Sequence, residues 1–166
     1  VRILTVCILL TLISLPAMAK CQSDSFNQFD FWLGSWRVFA EGQLAGLNHI
    51  SKDLNNCVIR EHYKTDNGYE GRSFNIYDAK RDLWHQTWVD NTGLLLVLEG
   101  RFQQGNMQLS GEGITDKGEK VLHRITWTPN MEDNTVRQHW QYSKDMGQSW
   151  SSLFDGRYKK ISDTAK

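Results

Sequence analysis

The chain has 166 residues, and 19 Lys and Arg balance 19 Asp and Glu. That length suits one domain with a real hydrophobic core. The even charge and the lack of any Lys/Arg run argue against a nucleic-acid partner, which calls for a basic surface excess.

At the start of the chain, Arg2 precedes an uncharged apolar run from Ile3 to Leu15, and Pro16-Ala17-Met18-Ala19 supplies an Ala-x-Ala end. Residues 1–19 are therefore expected to be a cleaved signal peptide, leaving a periplasmic or secreted protein. The run is shorter than the ~20 apolar residues of a spanning helix, and no later stretch approaches that length, so no membrane span is expected. Lys20 precedes Cys21 where a lipid-attachment site needs a small residue, which favours free release. Cleavage removes Cys7 and leaves Cys21 and Cys57 in a compartment where disulfides persist, and these two are expected to pair.

Residues 20–34 are expected to form an N-terminal segment and barrel cap, in which Asn27–Leu33 is the one helical candidate, with aromatics to close one barrel end. Residues 35–162 should be the barrel and 163–166 a tail. From Trp36 onward, short alternating runs are separated by turn signals. These are Glu41-Gly42, Asn55-Asn56, Asp66-Asn67-Gly68, Asp78 to Asp82, Asp90 to Gly93, Gln104-Gly105-Asn106, Asp116-Lys117-Gly118, Glu132-Asp133-Asn134 and Asp145-Met146-Gly147. Nine turns give ten strands, and connections this short make neighbours antiparallel. Closure removes exposed edges. The expected fold is thus all-β, a ten-stranded antiparallel up-and-down β-barrel with a short N-terminal helical cap.

Period-two alternation assigns sides. Ile59, Glu61 and Tyr63 should face inward on the third strand, and Trp84, Gln86, Trp88 and Asp90 on the fifth. Val136, Gln138, Trp140 and Tyr142 should do so on the ninth, and Phe154, Gly156 and Tyr158 on the last. Leu94, Leu96 and Leu98 with Met107 and Leu109 supply an apolar wall. Two strands stay open: either Ser73, Asn75 and Tyr77 or Arg72, Phe74 and Ile76 face in on the fourth, and either Arg124 and Thr126 or Ile125 and Trp127 on the eighth.

A core built for packing alone should hold Leu, Ile, Val and Phe, because a buried amide or carboxylate without partners costs about 1–3 kcal/mol. Glu61, Gln86 and Gln138 break that pattern. Indole faces beside a few fixed polar groups are what a small-molecule pocket presents, although the same groups bonded to one another would fit a filled barrel. Catalysis has little support: Glu61 and Asp90 lie on strands that are not sequence neighbours, and an Asp at a turn usually bonds backbone. No catalytic residue is assigned. The five histidines show no metal-ligand spacing, and of these only His49 or His123 could reach the lumen.

Ser143-Lys144-Asp145-Met146-Gly147-Gln148-Ser149-Trp150 resembles the Asp-box of sialidases, with Ser149 in place of Thr. That motif is a hairpin device whose Trp anchors in the core, and one copy implies a hairpin without sialidase activity. Phe29 to Trp36, Cys57 with Glu61, Gly71 to Asp78, Trp84 to Asp90, Thr126-Trp127 and Phe154-Asp155-Gly156 together resemble a family of small bacterial secreted proteins of unknown function. Gly34-Ser35-Trp36 is similar to the Gly-x-Trp of lipocalins, which implies a calycin-type barrel whose Trp closes its base. Ten-stranded barrels also include fatty-acid-binding proteins and the nitrobindin-like haem proteins. The nitrobindin pattern has alternate glycines after the Trp, where this chain has Arg37-Val38-Phe39-Ala40, so haem is doubtful and no cofactor is expected.

The reading favoured by these residues is an exported lipocalin-like protein, not an enzyme. It would bind a small, partly apolar ligand through Glu61, Tyr63, Gln86, Trp88, Gln138, Trp140 and Tyr158. The alternatives are a filled barrel whose outer face meets a protein or the cell envelope, and, behind it, an enzyme using Glu61 as a base.

Overall fold

The computed structural model describes residues 21–115 and 117–161; the signal peptide expected over 1–19 and the tail at 163–166 lie outside the described residues. Ten strands follow one another: β1 (Gly34–Ala40), β2 (Gln43–Asp53), β3 (Val58–Lys64), β4 (Glu70–Asp78) and β5 (Leu83–Asp90), then β6 (Leu95–Gln103), β7 (Asn106–Ile114), β8 (Lys120–Asn130), β9 (Thr135–Ser143) and β10 (Ser151–Lys160). Each pairs antiparallel with its sequence neighbours, and β1 pairs with β10 from Trp36↔Lys160 to Ala40↔Gly156, which closes the barrel. Every expected turn falls between two strands. The tightest, Glu41-Gly42 and Gln104-Gly105, place both residues at positive φ (50° and 80° in each case). That is the two-residue geometry whose twist matches that of the flanking strands.

The up-and-down order sends alternate turns to opposite ends. One end carries the β2–β3, β4–β5, β6–β7 and β8–β9 turns and is stopped by the N-terminal segment; the other is open. The helix expected over Asn27–Leu33 is instead two 3₁₀ turns, Asp24–Asn27 and Asp30–Trp32. Their period of three explains the choice, because it stacks Phe26, Phe29 and Trp32 on one face. All three are buried, and Phe29 and Trp32 completely so. Phe29 stacks on Trp32 at 4.9 Å between centroids and meets Trp127 and Trp84 edge-on at 5.1 and 5.7 Å.

Polar ties hold the plug in register. Trp36 Nε1 donates to the Trp32 carbonyl at 2.8 Å, and Trp84 Nε1 to Gln28 Oε1 at 3.1 Å. Lys52 Nζ bridges Asp30 Oδ2 and Asn27 Oδ1, both at 2.8 Å. Cys21 and Cys57, 36 positions apart in the chain, form the expected disulfide and join the segment to the β2–β3 turn. A loop of that size stabilises the fold by about 3–4 kcal/mol in the chain-entropy model.

The strands left open by alternation are now assigned. On β4, Ser73 and Asn75 are buried while Phe74 and Ile76 point outward; on β8, Ile125 and Trp127 are inside. His49 is exposed and bonds Ser35 outside the barrel, whereas His123 lies on the inner side of β8. Among the described residues no helix is long and apolar enough to cross a membrane.

Candidate ligand-binding site

Above the aromatic plug the barrel is not filled. A cavity of about 310 Å³ opens toward the uncapped end, and all seven expected site residues line it: Glu61, Tyr63, Gln86, Trp88, Gln138, Trp140 and Tyr158. Tyr69, Leu96, Ile125, Leu153 and Phe154 complete the wall.

Its floor is one continuous polar chain through six strands. Gln86 Nε2 donates to Asn75 Oδ1 at 2.8 Å, Asn75 Nδ2 to Ser73 Oγ at 2.9 Å, and Ser73 Oγ to Glu61 Oε2 at 2.6 Å. From the other side, Asn48 Nδ2 donates to Glu61 Oε1 at 2.7 Å and to Tyr158 OH at 3.2 Å, and Tyr158 in turn donates to Gln138 Oε1. Glu61, Gln86 and Gln138 therefore face the cavity and are also joined through their neighbours. Such linkage makes the buried polar groups affordable and fixes their directions.

Glu61 is the only ionisable carboxyl on this floor among the described residues. Burial pushes its pKa up to about 7, against the opposing hydrogen bonds from Ser73 and Asn48. Both neighbours donate to it, the arrangement a carboxylate requires. Asn48 Oδ1 is buried without a partner; an amide flip would turn that oxygen toward Glu61 and accept the proton of the neutral acid. The carboxyl is thus poised between two states near neutral pH.

The upper wall is aromatic, and its rings are held back from the centre. Trp88 lies against Gly71, where a Cβ would come within 2.1 Å of the indole, and the Tyr63 ring lies against Gly46 at 2.7 Å by the same measure. Tyr63 OH donates to the Ala45 carbonyl at 2.9 Å, and Ala45 is the extra residue of a bulge in β2. Trp88 Nε1 and Tyr69 OH both donate to Asp90 Oδ2, at 3.2 and 2.9 Å. Trp140 Nε1 donates to His123 Nδ1 at 3.1 Å, and burial lowers the pKa of that imidazole.

Asp90 does not pair with Glu61. Oδ1 caps its own turn, accepting from Thr92 N at 2.9 Å and Leu94 N at 3.3 Å. Burial works against its ionisation, but the hydrogen bonds from Thr92, Tyr69 and Trp88 outweigh it and hold the pKa at about 2.

Several wall residues escaped the sequence reading. Asn48 was hidden because Leu47 and Ile50 sit on opposite sides of β2, so its hydrophobic pattern names no inner face. Leu153 lines the cavity beside Phe154, which alternation had already placed inward, because Leu153 is the extra residue of a bulge between Ser152 and Phe154. Tyr69 precedes β4 and had no strand to assign it a side. Within the hairpin motif, Asp145 accepts from Ser149 N at 2.8 Å and Ser143 Oγ at 2.7 Å, as expected of a turn device. Trp150, however, is not a core anchor: it is half-buried and stacks under the Arg124 guanidinium at 4.0 Å.

No protein-family model matches the chain, and no curated protein matches it. The likeness to small secreted bacterial proteins thus rests on the motifs alone, while the calycin-like architecture rests on the closed barrel itself. Among the described residues no group of His, Cys, Asp or Glu is placed to hold a metal ion.

Proposed function

We propose that this is an exported binding protein, not an enzyme, and that its open lumen takes a small, partly apolar molecule gripped by Trp88 and Trp140 and oriented by Glu61, Gln86 and Gln138. The observation that carries this reading is the cavity, about 310 Å³, whose aromatic wall stands over a fixed polar floor. Pockets of this size with few convergent polar groups are the usual form of a small-molecule site. An apolar cavity of ~150 Å³ holds benzene, so this one has room for a two-ring or aryl-alkyl molecule. Export is supported by the signal-like segment before Lys20 and by the disulfide, which persists in oxidising compartments.

Native mass spectrometry of protein isolated from its own source tests the reading, with a copurified small molecule as the expected result. Alanine at Trp88 and at Trp140 should each weaken binding of that molecule by roughly tenfold or more, the loss of one large aromatic contact. Unchanged affinity in both variants would end the assignment.

A second reading, an interaction face for a protein or the envelope, is favoured by one observation. Phe74, Val89, Leu95 and Val97 are all exposed on the outside of three adjacent strands, β4 to β6.

A further inference from the structure

The cavity wall is unusual in which polar groups it leaves free. Five aromatic N–H or O–H groups could have donated to a ligand, and each is already committed. Tyr63 bonds the Ala45 carbonyl, Tyr69 and Trp88 bond Asp90, Trp140 bonds His123, and Tyr158 bonds Gln138. With their donors spent, what these side chains have left for a ligand is ring surface, whose π faces are electronegative.

Charge in and around the lumen has one sign. No Lys, Arg or His lines the cavity among the described residues. The groups packed around Glu61 are neutral: Asn48 from β2, Ser73 from β4 and Tyr158 from β10, with Tyr63 further along β3. At the rim, Asp90 stays ionised and is held behind Trp88 and Tyr69. His123, beyond Trp140, presents Nδ1 as an acceptor. An anion would find no cationic partner there, whereas a cation would meet a buried carboxylate and aromatic faces.

Resting on the pocket reading above, we propose that the ligand is a compact organic cation, an aryl or alkyl amine whose ammonium group docks on Glu61 while its apolar body lies between Trp88 and Trp140. The amides of Gln86 and Gln138 supply the neutral polar contacts. Size agrees, since a primary amine carried on one ring and a short alkyl arm fits the volume. The proton balance is simple: the ammonium keeps its proton, Glu61 is bound as the carboxylate, and any proton held by Glu61 leaves to solvent. Binding should therefore tighten as pH rises through the Glu61 pKa of about 7, then weaken once the amine itself loses its proton, near 10 for an alkylamine.

Isothermal titration of the disulfide-bonded protein with three probes tests this: 2-phenylethylamine, 2-phenylethanol and 3-phenylpropanoate. At pH 8 the amine should bind roughly 30-fold tighter than the alcohol, the effect of one desolvated charge pair. The carboxylate should bind weakest. In Glu61→Gln the ratio of amine to alcohol affinity should fall to about one, and in the unaltered protein that ratio should shrink between pH 8 and pH 5.5, a control that needs no variant. Alcohol or carboxylate binding as tightly as amine would overturn the cation assignment and leave the pocket standing. No binding by any of the three at millimolar concentration would overturn the cation assignment, while a copurified neutral or acidic molecule would show that the pocket reading survives it.

Discussion

The two ends of the barrel are built from the same kinds of residue and do opposite things with them. At the closed end Phe29, Trp32, Trp36, Trp84 and Trp127 pack together around the barrel axis and leave almost no exposed surface. At the open end Tyr63, Tyr69, Trp88, Trp140 and Phe154 line the wall around an empty centre. What separates them is not hydrophobicity but support. The closed end receives an extra segment, tied by Cys21–Cys57, whose rings fill the axis. The open end receives none, and glycines across the strand with hydrogen bonds into the wall keep its rings from collapsing inward. Aromatic content therefore does not distinguish a core from a binding site; where each ring is anchored does.

The largest test of this contrast is Trp32→Ala. It removes a fully buried indole from the plug and should cost about 3–5 kcal/mol in urea unfolding, the usual range for a large aromatic in a packed core. A loss under 1 kcal/mol would mean that the closed end is not the stabilising half.

Next in size is the pH dependence set by Glu61. Its folded pKa, about 7, lies above the ordinary value of 4.5, so between these pH values the folded state holds a proton that the unfolded chain has released. Stability from this group is complete below pH 4.5 and declines until the pH passes 7. By linkage the total is about 3 kcal/mol. Glu61→Gln should remove that slope, so the difference between the two proteins' pH–stability curves isolates it. Parallel curves would show that the carboxyl titrates normally and that the floor is wet.

The smallest effect is expected for Gly71→Ala. A methyl group there meets the Trp88 ring at 2.1 Å, so the indole must swing into the lumen. Stability should fall by about 1–3 kcal/mol, as for other overpacked sites, while the cavity closes and ligand binding is lost. Retained binding would show that the glycine does not hold the cavity open.

Much of this was legible before any coordinates. The nine turns carry Gly, Asn and Asp where positive φ or side-chain capping is needed, and those residue choices set strand number and order. On β3, β5 and β9 strict alternation placed Glu61, Gln86, Trp88, Gln138 and Trp140 correctly. Strand β4 was not decidable: its apolar Phe74 and Ile76 face solvent, and its polar Ser73 and Asn75 face the core. Hydrophobicity points the wrong way there because the inner positions are chosen to hold Glu61, and that partner lies across the sheet.

The chain's local pattern, then, determined an antiparallel ten-strand meander and the inward side of most cavity residues, because turns and alternation depend on near neighbours. Only the tertiary structure decided that the plug would be two 3₁₀ turns with Phe26 joining Phe29 and Trp32, that bulges at Ala45 and Leu153 would reshape the other end, and that Asn48, Ser73 and Asn75 would complete the floor beneath an open cavity. Those outcomes depend on pairs brought together across the sheet and around the closed barrel, such as Asn48 and Tyr158, which are 110 residues apart along the chain.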